Sequence, residues 1–240
     1  MSGRLIGVGT GPGDPELLTL KAVRAVQGAD VIAYFAKQGN ASNARAIVAE
    51  LITTQVEEPL LYPVTTEIDR RHAEYKSATL AFYEEAAARL AAHLDAGRTV
   101  AVLSEGDPLF YGSYMHLHVR LAPRYTTEVI PGITAMSGCW SQAGLPLVQG
   151  DDILSVLPGT LEEDELRARL DGEGGAVIMK VGRNLPKIRR AIAAVGKLDS
   201  AIYVERGTMA NGHHLRLADK ADDTAPYFAI VLVPGWSTRP

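Results

Sequence analysis

Four short apolar runs, RLIGVG (4–9), DVIAYF (30–35), TVAVLS (99–104) and TEVI (127–130), punctuate the first half of the chain, with longer helical patterns between them. They are too continuous in Val, Ile and Leu for strands with one wet face, so they read as buried parallel strands of an α/β fold. Between the first two, Asp14 reads as an N-cap and Pro15 as the first helical residue. Leu17, Leu18, Val23 and Val26 follow, and Gly28 is the stop. This makes a βαβ unit. A segment from Asp69 to Asp95 carries Leu80, Tyr83, Ala87 and Leu90 at helical spacing, closes at Gly97 and delivers the chain to Thr99.

After VIPGITA (129–135) the pattern restarts. A helix is predicted through AMSGCWSQAG, strands at 153–157, 176–181, 200–205 and 227–233, and helices near 162–170 and 185–194. The polar stretch RGTMANGHHLRLADKADDT joins the last two strands, which suggests antiparallel pairing. The expectation is two α/β domains, residues 1–130 with a parallel sheet and 131–240 with a mixed one, and a ligand cleft between them.

The 240 residues are 47% apolar, enough for a substantial core, and the formal charge of −4 leaves no basic footprint for nucleic acid. Cys139 is the one cysteine, which excludes an internal disulfide and a multi-cysteine metal site and fits a reducing compartment. The first residues lack the apolar run of a signal peptide, and no stretch approaches the roughly 18 apolar residues of a membrane span. A cytoplasmic protein is expected.

GVGTGPGDPELL (7–18) looks at first like a dinucleotide-binding turn. Starting G-x-G-x-x-G at Gly7, Gly9 or Gly11 puts Pro12, Asp14 or Glu16 in the third glycine position, and the second run ends in Tyr34 and Phe35 instead of a ribose-binding acid. A nicotinamide oxidoreductase is disfavoured. What remains is a backbone turn at a strand end, either a plain βα connection or a ligand site. In SEGDPLFYGSY (104–114), Gly106 permits a turn or close approach, Asp107 offers carboxylate acceptors and Pro108 fixes the chain. It reads as a simple turn or as a pocket with Phe110, Tyr111 and Tyr114 as an aromatic wall. In PGITAMSG, Thr134 stands at a helix start, where its hydroxyl can cap the helix, face a ligand, or both.

Taken together and in order, GVGTGPGDPELLTLKAVRAVQGADVIAY, SEGDPLFYG and VIPGITAMS resemble the S-adenosylmethionine-dependent tetrapyrrole (corrin/porphyrin) methylases. The likeness runs on through VIMKVGRN and AIYVERGT, so it covers essentially the whole chain. It implies a two-domain α/β fold with the cofactor folded in the cleft. The stretches SEGDPLFYGSYMHLHVRL, GITAMSGCWSQAGLPLVQGDDILSVLPGTL and MKVGRNLPKI are most like members that methylate carbon 20 of precorrin-2 in cobalamin biosynthesis. The cobalt-containing counterpart, cobalt-factor II, is the alternative substrate. Members acting on uroporphyrinogen carry an acid where this sequence has Phe35.

Carried over residue by residue, the resemblance places Pro12 in a loop against the cofactor, Gly106 and Asp107 on its methionine or ribose part, and Phe110 beside it. Thr134 and Ala135 would touch it near the domain junction, while Val181 and Gly207 would offer backbone groups to adenine. A homodimer is also implied.

The implied reaction passes a methyl group from a sulfonium to a carbon nucleophile, so alignment and exclusion of water are the leading demands. Glu105, Tyr111 and His116 are candidates for a base, with a packed helix histidine the plain alternative for His116. Tyr111, Arg183 and Arg206 are candidates to meet the substrate and its carboxylates; a solvated surface position is the plain alternative for either arginine. His213 and His214 are adjacent and would point to opposite faces of a strand, and no protein-held metal is expected. A non-catalytic tetrapyrrole carrier is a further alternative.

Overall fold

The computed structural model describes residues 2–63 and 73–235. The chain divides into two compact units, Met1–Thr134 and Ala135–Pro240.

The first unit contains β1 (Arg4–Gly9), α1 (Leu20–Gln27), β2 (Val31–Lys37), α2 (Asn43–Ile47), β3 (Val56–Tyr62), α3 (Ala73–Asp95), β4 (Thr99–Ser104), α4 (Tyr114–Leu121) and β5 (Thr126–Ile130). Its five strands pair in the order β3-β2-β4-β1-β5, all parallel. Helices cover both faces, which is why the central strands are apolar throughout. Leu5, Ala33, Val102 and Tyr114 belong to the core under α3 and α4, and Ile6, Val8, Ile32 and Leu103 to the core under α1 and α2. The chain leaves β1 toward one face and β4 toward the other. The crevice between their carboxyl ends is thus a switch point, where open α/β sheets bind ligands.

The connection after β1 differs from the single capped helix expected. Asp14 accepts from the Glu16 N–H and caps only a 3-10 turn, Pro15–Leu17; Leu18 is extended, and Thr19 is the true cap of α1, accepting from the Ala22 N–H at 3.0 Å. An aspartate and a threonine, three and eight residues after Gly11, both satisfy the capping pattern, and the extended Leu18 decides between them. Gly28 closes α1 as expected. The predicted start of α3 near Asp69 lies outside the described residues.

The second unit contains α5 (Ala135–Gln142), β6 (Leu154–Pro158), α6 (Glu163–Leu170), β7 (Gly175–Met179), α7 (Leu185–Ala194), β8 (Ile202–Glu205), β9 (His213–Arg216) and β10 (Ala229–Val233). The order is β6-β7-β10-β8-β9, with β6 and β7 parallel and the remaining pairs antiparallel. β8 and β10 pair as expected. The polar segment between them is more than a connection, because HHLR forms edge strand β9 against β8. The aliphatic faces of α6 and α7 pack on one side of the sheet and α5 on the other.

Candidate active site

At the switch point of the first unit, three backbone segments approach within van der Waals limits. Gly11 and Gly106 form an isolated antiparallel bridge, with the Gly106 N–H donating to the Gly11 carbonyl at 2.8 Å. A Cβ at Gly9 would stand 2.4 Å from the Gly132 nitrogen, and one at Gly132 would stand 2.1 Å from the Gly106 oxygen. No side chain fits at either position. The loops after β1, β4 and β5 are therefore locked to one another through glycine backbone.

Asp107 tightens the same junction. Its Oδ1 accepts from the Leu109 N–H at 2.9 Å, and its Oδ2 accepts from the Gly132 N–H at 3.3 Å. Beneath it, Thr10 is fully buried and donates both its N–H and its hydroxyl to the Ser104 carbonyl. Thr10, Ser104 and Gly132 belong to this junction although none of them was expected as a site residue from sequence. Their signal was only position: Thr10 one residue beyond β1, Ser104 the last of β4 and Gly132 within a Pro-Gly step.

The first unit thus brings Pro12, Gly106, Asp107 and the segment leading to Thr134 to adjoining loops. Pro12, Asp107, Phe110 and Thr134 are partly accessible, while Gly106 is buried. Phe110 and Tyr111 meet edge to face at 4.8 Å, and Tyr111, 47% exposed, holds φ at 54°. A bulky residue in that conformation is strained, and such strain concentrates at functional loops. Tyr114 corrects the expectation of an aromatic wall: it is fully buried, its ring under Gly7 and its hydroxyl 3.2 Å from His118 Nδ1.

The three candidate bases have separate surroundings. The Glu105 carboxylate lies at the start of α2, bonded to the Asn43 side chain and the Ala44 N–H; crowding there raises its pKa and the two hydrogen bonds oppose the rise. The residue still reaches water, which limits that rise. His116 stacks on Tyr83 of α3 at 4.2 Å, and burial, followed by the Arg120 charge, holds it below the usual imidazole value. Glu105 and Tyr111 both belong to the loop after β4, but only Glu105 is turned to α2 there, while His116 lies on α4.

Phe35 is part of an aromatic group at the end of β2 and β3. It stacks on Tyr62 with centroids 5.6 Å apart, and Tyr62 in turn meets Phe82 and bonds through its hydroxyl to Ser113. A carboxylate at position 35 would be surrounded by rings. A cavity of about 400 Å³ lies on the other face, between α2 and β3, lined by Tyr34, Arg45, Pro59 and Leu61 among others. None of the expected site residues lines it, and its Arg45 is forked onto Glu57.

In the second unit, Val181 has a fully buried side chain, so only its backbone can meet a ligand, and its carbonyl already accepts from the Asn184 N–H at 2.7 Å. Gly207 presses against α5: a Cβ there would stand 2.5 Å from Cys139 Sγ. Arg183 is exposed, whereas Arg206 is paired with Glu205 at 2.5 Å and is 34% exposed. Among the described residues no group of three or more His, Cys, Asp or Glu could hold a metal ion, and no helix is long and apolar enough to cross a membrane.

A doubly covered sheet with glycine-locked loops at its switch point, followed by a mixed-sheet unit, defines an α/β ligand-binding enzyme class. Residues 4–220 match the model of the tetrapyrrole (corrin/porphyrin) methylases, and the chain belongs to that family. It is 70% identical over 239 residues to a Sinorhizobium protein named precorrin-2 C(20)-methyltransferase, covering 99% of this chain and 98% of that protein. A Salmonella typhimurium protein named cobalt-precorrin-2 C(20)-methyltransferase is 27% identical over 237 residues, covering 97% of each. Among solved structures, the uroporphyrin-III C-methyl transferase of Thermus thermophilus complexed with S-adenyl homocysteine superposes with a TM-score of 0.68. It is 24% identical and matches 97% of each chain, a likeness of fold.

Proposed function

We propose that this chain methylates carbon 20 of precorrin-2 with S-adenosylmethionine as donor, giving precorrin-3A. The observation that carries the reading is the 70% identity, over nearly the full length of both chains, to the relative of that name. The 27% identity to the relative named for the cobalt-containing substrate favours the metal-free ring.

S-adenosylmethionine would supply a methyl group already activated on a sulfonium; its C–S bond breaks as the new C–C bond forms, and S-adenosylhomocysteine leaves. The residues proposed to hold it are Pro12, Gly106, Asp107, Phe110, Thr134 and Ala135, with the backbone of Val181 and Gly207. The locked glycine loops fit this role because they expose backbone and one carboxylate at a switch point without bulky side chains. Preorganised loops cost no rearrangement on binding, and alignment is the main catalytic demand of such a transfer. Of the candidate bases, Tyr111 is favoured as an exposed residue of the loop after β4, since the Glu105 carboxylate of the same loop is bonded at the start of α2. Arg183, exposed and on the loop before α7, is the better candidate for a substrate carboxylate.

The same reading takes the protein as a cytoplasmic homodimer with no resident metal, no membrane and no nucleic-acid partner, supported by the acidic composition and single cysteine. Incubation with labelled S-adenosylmethionine and either precorrin-2 or cobalt-factor II tests it: label is expected in precorrin-2, and label in the cobalt form alone overturns the choice.

A further inference from the structure

We infer that Glu105 is a positioning residue: its carboxylate ties the loop after β2 to the loop after β4 and thereby sets the grip on precorrin-2, while the cofactor is held by other residues of the same junction. The inference rests on the reaction proposed above and adds a division of labour within SEGD (104–107).

Three consecutive residues of that segment each engage a different neighbour. The Gly106 N–H donates to the Gly11 carbonyl in the loop after β1, and Asp107 Oδ2 accepts from the Gly132 N–H in the loop after β5. Glu105 accepts from the Asn43 side chain and the Ala44 N–H, where the loop after β2 enters α2. Strand β4 stands between β2 and β1, so Glu105 reaches to one side of it and Gly106 and Asp107 to the other. The residues proposed to hold the cofactor in this unit, Pro12, Gly106, Asp107, Phe110 and Thr134, stand on the loops after β1, β4 and β5. None stands on the loop after β2.

That loop needs a tie. Asn40, Ala41 and Ser42 line the cavity of about 400 Å³, so no packed core supports this stretch from beneath. The helix it enters has five residues, too few to be stable by itself. Ser42 Oγ accepts from the Arg45 N–H at a long 3.4 Å, and the Ala44 N–H goes to Glu105. Both partners of Glu105 are donors, so the charged carboxylate satisfies them together and is occupied there instead of free to take a proton. Lys37, Gln38 and Asn40 are exposed at this edge, and each side chain carries the N–H donors that a substrate rimmed with carboxylates requires. Losing the tie lets the loop shift and disperses those donors. The glycine junction beside the cofactor residues stays closed through Gly9, Gly11, Gly106 and Gly132.

The test compares Glu105→Ala and Glu105→Gln with the wild type in steady-state methylation of precorrin-2 and in calorimetric titration with S-adenosylhomocysteine. Glu105→Ala is expected to raise the KM for precorrin-2 by about tenfold, the scale of one lost charge-assisted hydrogen bond, and to lower kcat and the affinity for S-adenosylhomocysteine much less. Glu105→Gln keeps an acceptor oxygen for the Ala44 N–H and should recover most of the KM. Asn43→Ala removes a partner from the other side; it should raise the same KM, and less than additively when combined with Glu105→Ala. Should Glu105→Ala fail to fold by circular dichroism, Glu105→Gln and Asn43→Ala carry the comparison. A collapse of kcat in Glu105→Gln with KM unchanged makes Glu105 a base and overturns the inference. An equal loss of S-adenosylhomocysteine affinity and of substrate KM makes it a general support of the fold and overturns it too. Either result leaves the proposed reaction standing, whereas failure of the wild type to methylate precorrin-2 overturns both.

Discussion

The phenol ring of Tyr114 lies against the Cα of Gly7: a Cβ built on Gly7 would stand 2.4 Å from Tyr114 Cζ. The first glycine of the opening motif therefore serves packing under the sheet, and only the later ones serve the loop junction. Gly7→Ala must displace a fully buried ring, and overpacking of this kind costs about 1–3 kcal/mol. Urea unfolding should show that loss, and combination with Tyr114→Leu should recover part of it. A fully additive double variant would contradict the contact.

Asp107 joins the loops after β4 and β5 and is also proposed to touch the cofactor. In Asp107→Ala the N–H groups of Leu109 and Gly132 lose their acceptors. Affinity for S-adenosylhomocysteine should fall by about tenfold or more, given charge-assisted bonds of about 1.5–3 kcal/mol. Titration of the variant checks this; loss of tetrapyrrole binding with that affinity unchanged would speak for a carrier.

Tyr114 and Cys139 are two of the buried acids, with Tyr203 a third, whose raised pKa values bear on alkaline stability. Burial pushes the Tyr114 hydroxyl from 10.0 up to about 12 and the Cys139 thiol from 9.0 up to about 12. In both, the native state keeps a proton that the unfolded chain releases, so their stabilisation is complete below the unfolded values and fades as pH rises from about 9 toward 12. The Tyr114 share is about 2–3 kcal/mol. Tyr114→Phe should lower stability at pH 7 but flatten its decline above pH 10. The Cys139 thiol should resist alkylation at about pH 8 until the protein unfolds.

The two candidate substrate arginines should behave differently. The Arg206 charge is compensated by Glu205, itself bonded to the Tyr203 hydroxyl at 2.7 Å, whereas Arg183 is exposed. Arg183→Ala is expected to raise the KM for precorrin-2 severalfold, on the scale of about 1 kcal/mol for a solvent-reached charge. Arg206→Ala should change it less. Steady-state kinetics with both variants decides, and the reverse order would reassign the carboxylate contact.

The central strands were legible because burial on both faces demands continuous apolar runs, and RLIGVG and TVAVLS match β1 and β4 residue for residue. Strand β3 escaped notice. VEEPLLY carries two glutamates and a proline, tolerated because it is an edge strand, where Glu58 pairs with Arg89 and His93 and no ladder crosses the outer side. Strand β9 escaped for a similar reason: HHLR borrows its order from β8. The five-residue helix α2 lacks the length that makes a period visible.

For the candidate site, sequence alone determined which loops matter, since glycine, proline and aspartate at strand ends restrict the backbone locally. The family followed from their order along the chain. Only the tertiary structure decided what each residue does there. Gly7 makes room for a ring 107 positions later, Gly9 and Gly132 admit each other's backbone, and Glu105 reaches the start of α2. Local preference reads a residue against its neighbours in sequence; close approach and hydrogen-bond accounting depend on neighbours brought in by the fold.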